Sequence, residues 1–132
     1  MSVYMLDTSI LVEVLRGRAD RLIPRFDREP DLTVSTITVM ELEYGAQRST
    51  QPEAMRRDVD GLLSLMVVKD FDRGAARHAG NIRALLVNKG TPIGPLDTLI
   101  AGHARSLGLV VVTHNLREFS RVPDLKSEDW LV

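Results

Sequence analysis

The chain contains no cysteine, so neither a disulfide framework nor a thiolate metal site is available to it. No apolar run approaches the ~18 residues a membrane span requires, and the opening Met1-Ser2-Val3-Tyr4-Met5 lacks the basic and apolar regions of a secretory signal. A soluble, cytoplasmic protein is the expectation. Several cofactor signatures are also missing. There is no G-x-x-x-x-G-K-[ST] loop, no G-x-G-x-x-G after a strand and no G-x-S-x-G elbow. Gly90-Thr91-Pro92-Ile93-Gly94 carries too much proline to cradle a phosphate. Without repeats, linkers or low-complexity tracts, residues 1–132 read as a single domain, long enough to bury a core unaided.

Net charge is nearly absent too. A formal value of -1 argues against wholesale coating of nucleic acid, which usually demands a basic domain. The type of cation says more. Of the 17 basic residues only Lys69, Lys89 and Lys126 are lysine; arginine, with its planar fork, suits phosphates and interface pairs, although a GC-rich genome produces the same bias. Arg18, Arg21, Arg25 and Arg28 recur at helical spacing. A solvated face is the plain reading, and an RNA-phosphate or acidic-partner surface the functional one.

What is present is an alternation of short apolar runs and amphipathic stretches. A strand near 2–6 leads into a helix near 9–16, closed by Gly17. A second helix, about 20–28, should turn Leu22, Ile23 and Phe26 inward, with Pro24 blurring its start. A strand from Leu32 to Ser35 feeds a helix over about 38–48. The next helix starts with Pro52 and aligns Met55, Val59, Leu62 and Met66, before a strand at about 65–69. A long helix over 73–88 repeats Ala75, Ala79, Ile82 and Leu86, and another over 96–107 ends at Gly108. Leu109-Val110-Val111-Val112 has the β-branched continuity of a strand buried on both faces, and a short last strand is placed at Trp130-Leu131. Strands separated by helices imply parallel pairing with right-handed crossovers. The expected fold is α/β, three-layered, with a mainly parallel central sheet of four to five strands.

Three acids stand where such a sheet places its ligands. Asp7 follows the first strand, at the carboxyl edge it would share with Thr113-His114-Asn115. Glu41 lies in Thr38-Val39-Met40-Glu41-Leu42, where Thr38-x-x-Glu41 also fits a capping box. Glu43 is ~200° from Glu41 on a helix and cannot serve the same site, whereas Gly45, one turn on, leaves room for a ligand. Asp97, after the Gly94-Pro95 turn, equally suits an N-cap. Asp7 is harder to explain structurally, since a carboxylate beside a buried strand needs partners. Gathered in one cleft, the three would repel, and a hard divalent cation such as Mg²⁺ or Mn²⁺ is the natural remedy. His78, His103 and His114 show no zinc-type spacing; His103 reads as a packed residue, and His114 as either near the site or simply in a loop. Asn115 could orient a water through its amide or merely initiate a turn.

In its motifs the chain resembles a PIN-domain ribonuclease, specifically a VapC-type toxin. The likeness rests on Tyr4-Met5-Leu6-Asp7-Thr8-Ser9, Met40-Glu41-Leu42-Glu43-Tyr44-Gly45-Ala46, Pro92-Ile93-Gly94-Pro95-Leu96-Asp97-Thr98-Leu99-Ile100-Ala101 and Val112-Thr113-His114-Asn115-Leu116-Arg117-Glu118-Phe119, in that order. The resemblance implies metal-dependent RNA cleavage, with Asp7, Glu41 and Asp97 as the acidic site and metal ligands. It also implies a homodimer and a cognate antitoxin that blocks the cleft, often with a basic side chain, DNA being bound only through that antitoxin. Some relatives cut initiator transfer RNA in its anticodon loop. Two departures stand out: Asn115 replaces a fourth acid found in many relatives, which puts a second metal position in doubt, and Ser9 stands where many have asparagine.

The expected chemistry is attack by water on an RNA phosphodiester, with the ion lowering the water's pKa and neutralising the phosphate. Asp7 and Asp97 would be the principal ligands. Glu41 would complete the shell through water or act as base, helped by Thr8, Ser9, Thr113 or Asn115. Products should carry 5′-phosphates. The alternative is a non-catalytic binding module whose acids cap helices and grip a basic partner peptide. An aspartyl phosphatase ranks last, because Ser9 occupies the place where its second acid would stand.

Overall fold

The alternation of β1 side chains sets the layers. In the computed structural model, which describes residues 3–29 and 31–132, β1 (Tyr4–Leu6) sends Leu6 into one apolar cluster and Met5 into another. The other interior strand of that pair, β4 (Val110–Val112), repeats the division with Val112 and Val111. Helices α1 (Thr8–Leu15), α2 (Ile23–Arg28), α3 (Thr36–Gln47) and α4 (Pro52–Leu63) accompany the first cluster; α5 (Arg73–Asn88), α6 (Pro95–Leu107) and α7 (Leu116–Phe119) accompany the second. With β2 (Thr33–Ser35), β3 (Val67–Lys69) and β5 (Ser127–Glu128) the sheet has five strands, all parallel, in the order β3-β2-β1-β4-β5. The expected three-layer α/β architecture is therefore what forms. Each fully buried Leu, Ile or Phe in the two clusters contributes about 1.5–3 kcal/mol, so both faces of the sheet hold it in place.

Local chemistry accounts for most boundaries. Pro52 and Pro95 open α4 and α6, where a missing N–H costs nothing. Asp72 caps α5 by accepting from Ala75 N at 2.9 Å, and Gly108 closes α6 at φ 68°, a left-handed value that suits glycine. At Gly102 the demand is spatial instead. A Cβ there would lie 2.5 Å from Ala79 N, so α6 crosses α5 backbone to backbone. His103, next along α6, is buried with Nδ1 2.8 Å from Ser35 Oγ, and that oxygen also accepts from Ile37 N to cap α3.

Several sequence expectations are corrected. Position 2 of the first strand lies outside the described residues. The second helix divides into a 3₁₀ turn (Asp20–Leu22) and α2, because Pro24 fits only a first turn; Ile23 consequently faces solvent, while Leu22 is buried. α3 begins at Thr36 under a Ser35 cap, so Thr38 is inside the helix and no capping box joins it to Glu41. The last strand is Ser127–Glu128, pairing with β4; Trp130 follows it and packs edge-on against Tyr4. The short helix α7 has no counterpart in the sequence reading. The arginine stripe is largely tied down: Arg18 pairs with Glu13 at 2.9 Å, Arg21 donates to the Leu131 carbonyl, and Arg25 stacks on Trp130 beside Glu128. Among the described residues no helix is long and apolar enough to cross a membrane.

Candidate active site

Because β1 and β4 are parallel neighbours with Leu6 opposite Val112, the residues that follow them emerge side by side at one sheet edge. Asp7 N donates to the Val112 carbonyl at 2.8 Å, which fixes its backbone, and Asp7 serves as the N-cap of α1. Its carboxylate is fully engaged. Oδ1 accepts from Thr8 N at 2.8 Å, and Oδ2 accepts from Ser9 Oγ at 2.9 Å and Thr113 Oγ1 at 2.8 Å. Burial nonetheless raises its pKa, and the Thr113, Ser9 and Thr8 hydrogen bonds pull the other way.

Glu41, on the second turn of α3, reaches the same place from the other side. Thr8 Oγ1 donates to its Oε1 at 2.7 Å. The Thr8 and Thr38 hydroxyls are 3.1 Å apart. Thr8 Oγ1 is directed at buried Thr38 Oγ1 as well, so its one proton is shared between that hydroxyl and the nearer Glu41 carboxylate. A chain of hydroxyls thus sets the Glu41 carboxylate from within α3. Desolvation raises its pKa, the Thr8 hydrogen bond lowers it, and the Asp7 charge raises it again. Glu43 turns away to Arg56 and Gln47, as its angular offset requires.

Asp97 is the third residue of α6, whose N-cap is Gly94, so its side chain is not the cap. It accepts instead from Asn115 Nδ2 at 3.0 Å, and that amide also donates to Glu118 Oε2 at 2.9 Å. The helix N-terminus should favour the charged carboxylate. Its surroundings win: burial first, then the hydrogen bond with Glu118 and the charges of Asp7 and Glu118, push it up to about 7, while the Glu118 carboxyl is held low mainly by the same Asp97 bond. Burial and the neighbouring carboxylates thus favour the protonated form at Asp97 more than at Glu118.

Asp7, Thr8, Ser9, Glu41, Asp97 and Asn115 line one cleft of about 330 Å³, together with Val12, Glu13 and His114. Thr113 lies beneath, with Oγ1 donating to Asp7 and accepting from Asn115 N at 2.8 Å. The cleft thus gathers the residues singled out from the sequence, except Thr113, which supports it from below. A larger depression, about 550 Å³ between α5 and α6, is lined mainly by apolar groups such as Phe71, Leu86 and Ile93 and has no carboxylate. Chemistry, not size, selects the smaller one. Sequence reading missed Glu118; it lies one turn beyond Asn115, and its carboxylate shares the Asn115 amide with Asp97. The i, i+3 spacing across a helix start was the available signal.

The donor set is all oxygen and strongly anionic, with each of the three principal carboxylates raised in pKa. Among the described residues no three acids or histidines close around a single point, which excludes a tight all-protein cage. A hard ion of the Mg²⁺ type does not need one, since it keeps several waters and takes one or two carboxylates. The chemistry of these residues suits such an ion, and Asp7, Asp97 and Glu41 would be the ones to hold it.

Comparison with known proteins identifies the family. The PIN domain family model matches residues 4–125. The chain is 48% identical over 128 residues to the tRNA(fMet)-specific endonuclease VapC of Salmonella typhimurium, covering 96% of this chain and 97% of that one. It is 43% identical to ribonuclease VapC2 of Haemophilus influenzae, covering 97% and 98%. In structure it superposes with TM-score 0.95 and 47% identity on a chain of the DNA-bound VapBC from Salmonella typhimurium, covering 98% and 99%.

Proposed function

This chain belongs to the PIN-domain family, among its VapC ribonucleases, and from that membership we propose that it is an endoribonuclease toxin held in check by a cognate antitoxin. The observation that carries the reading is the single cleft into which β1, α3 and α6 deliver Asp7, Glu41 and Asp97. A structural role would have left Glu41 and Asp97 as helix caps, and neither is one. The name of the Salmonella relative makes initiator transfer RNA the substrate to test first. The VapBC complexes among the structural neighbours make an antitoxin the expected partner, with DNA reached through it. A homodimer is the assembly proposed for the toxin itself.

Mg²⁺ or Mn²⁺ is the proposed cofactor; when bound, it would neutralise charge developing on the phosphate and acidify the attacking water. The protein's own part is positional. Asp7 is held rigid by three donors, so its carboxylate needs no reordering when substrate arrives. Glu41, oriented by the Thr8 hydroxyl, points a carboxylate with raised proton affinity into the cleft, which suits a group that takes a proton from water. Asn115 Nδ2 donates to both Asp97 and Glu118, which orients the two carboxyls together. RNA's own 2′-hydroxyl is not the nucleophile, so the products carry 5′-phosphates.

The test uses antitoxin-free chain and its Asp7→Asn variant on initiator transfer RNA and total bacterial RNA, with Mg²⁺, Mn²⁺ or EDTA. Discrete, metal-dependent fragments with 5′-phosphate ends, absent with Asp7→Asn, are expected. Fragments ending in 2′,3′-cyclic phosphate, or cleavage undiminished by EDTA, would refute the mechanism. No cleavage by folded, metal-supplied protein would favour a binding module.

A further inference from the structure

We propose that His114, held by Asp129, reads the ribose 2′-hydroxyl of a nucleotide bound in the cleft; this rests on the ribonuclease reading above. His114 leaves β4 beside the site, with its backbone N donating at 3.0 Å to Ser9 Oγ, the hydroxyl that serves Asp7. Its ring is 54% exposed, and Nδ1 lies 3.0 Å from Oδ2 of Asp129, whose side chain is only 9% exposed. The other Asp129 oxygen accepts from Leu131 N at 2.9 Å, so the carboxylate is fixed in place.

A carboxylate only accepts, so the Nδ1–H donates to Asp129, which in the uncharged imidazole leaves the lone pair at Nε2. No described residue bonds that nitrogen. The ring lines the carboxylate cleft and also an adjoining depression of about 470 Å³ that contains Glu13, Arg18, Asp20 and Arg21. A strand running from one into the other passes over His114.

The polarity of this ridge selects the ligand group. In the depression Arg18 is paired with Glu13 and Arg21 with a carbonyl, and Asp20 balances what charge remains. An acceptor nitrogen between two such surfaces matches a hydroxyl donor better than a phosphate. The donor that RNA repeats along its strand, and DNA lacks, is the 2′-hydroxyl. His114 is thus a substrate-contacting residue, and Asp129 is the residue that positions it.

The experiment is a double-substitution cycle. Full-length chain, Mg²⁺ and initiator transfer RNA are used, the RNA being either all-ribose or carrying a single 2′-deoxynucleotide at each position flanking the mapped cut. For the native chain one deoxy position should lower kcat/KM by about three- to tenfold, the net effect of one hydrogen bond. His114→Ala should lose a similar factor on all-ribose RNA and become indifferent to that position. Asp129→Asn, which no longer imposes one tautomer, should blunt the same sensitivity. His114→Ala that cleaves all-ribose RNA like the native chain would overturn the inference. So would a slower His114→Ala that keeps every 2′-deoxy sensitivity, which with a lowered melting temperature marks a purely structural staple. Absence of cleavage by the native chain would instead overturn the ribonuclease reading, and this inference with it.

Discussion

At pH 8 without divalent ions, Asp97 must carry its charge beside Asp7 and Glu118, in a cleft that would rather keep it protonated. The folded protein binds that proton more tightly than the unfolded chain, so the contribution to stability is complete below about 3.8 and is lost as pH rises through about 7. Above pH 7 the folded state bears the whole cost. Taken at full value the shift corresponds to about 4 kcal/mol, but the carboxyl is only half-buried, and solvent screening reduces this to about 1–2 kcal/mol. Asp97→Asn removes the charge, while its amide can still accept from Asn115 and donate to Glu118. In EDTA at pH 8 it should therefore melt roughly 3–8 °C higher than the native chain, and at pH 5, between the two pKa values, the gap should be clearly smaller. Cleavage should be abolished at both. Thermal unfolding by fluorescence at the two pH values, with and without Mg²⁺, provides the readout, Mg²⁺ raising the native chain more than the variant. A variant that melts lower at pH 8, or gains equally at pH 5, would refute the electrostatic account and make Asp97 a structural anchor.

Three further outcomes are expected. Thr38→Val keeps the buried shape but removes the hydroxyl behind Thr8, so cleavage should fall about three- to tenfold with a melting temperature within a few degrees of native, and Thr38→Ser should restore it; full activity in Thr38→Val would sever that residue from the site. Glu118→Gln should lower the Asp97 pKa and so flatten the metal-free rise in stability between pH 7 and 5, a slope measurable by the same thermal scans. Gly102→Ala forces a methyl into the Ala79 backbone and should cost about 1–3 kcal/mol, read as an earlier thermal transition; an unchanged one would show that α5 and α6 can separate freely.

Much of this was legible because two periodicities and one edge rule sufficed. The β-branched run before Thr113 and the short run before Asp7 could only be interior strands, and their parallel pairing puts Asp7 and Asn115 at one edge. The errors came where a local pattern had two uses. Thr38-x-x-Glu41 reads as a capping box, but Ser35 caps the helix three residues sooner, and the same two side chains become neighbours through Thr8. Glu118 was passed over because α7 is a single turn, too short to leave a periodic trace. The arginine stripe pointed outward in sequence, yet Arg21 and Arg25 are spent on Leu131, Glu128 and Trp130, partners more than a hundred residues away that no local pattern displays.

The strand that carries Asp7 is made first but sits third in the sheet, between β2 and β4. During synthesis Asp7 therefore leaves the ribosome 106 residues before Thr113, the hydroxyl that completes its hydrogen bonding, and before β5, which closes that side of the sheet. Domains assemble as their segments emerge, but here the earliest part of the catalytic apparatus waits for the latest. A growing chain has the acids without the cleft. The order of strands thus sets an order of assembly, in which the cleft around Asp7 is complete only after β4 and β5 have been added to the sheet.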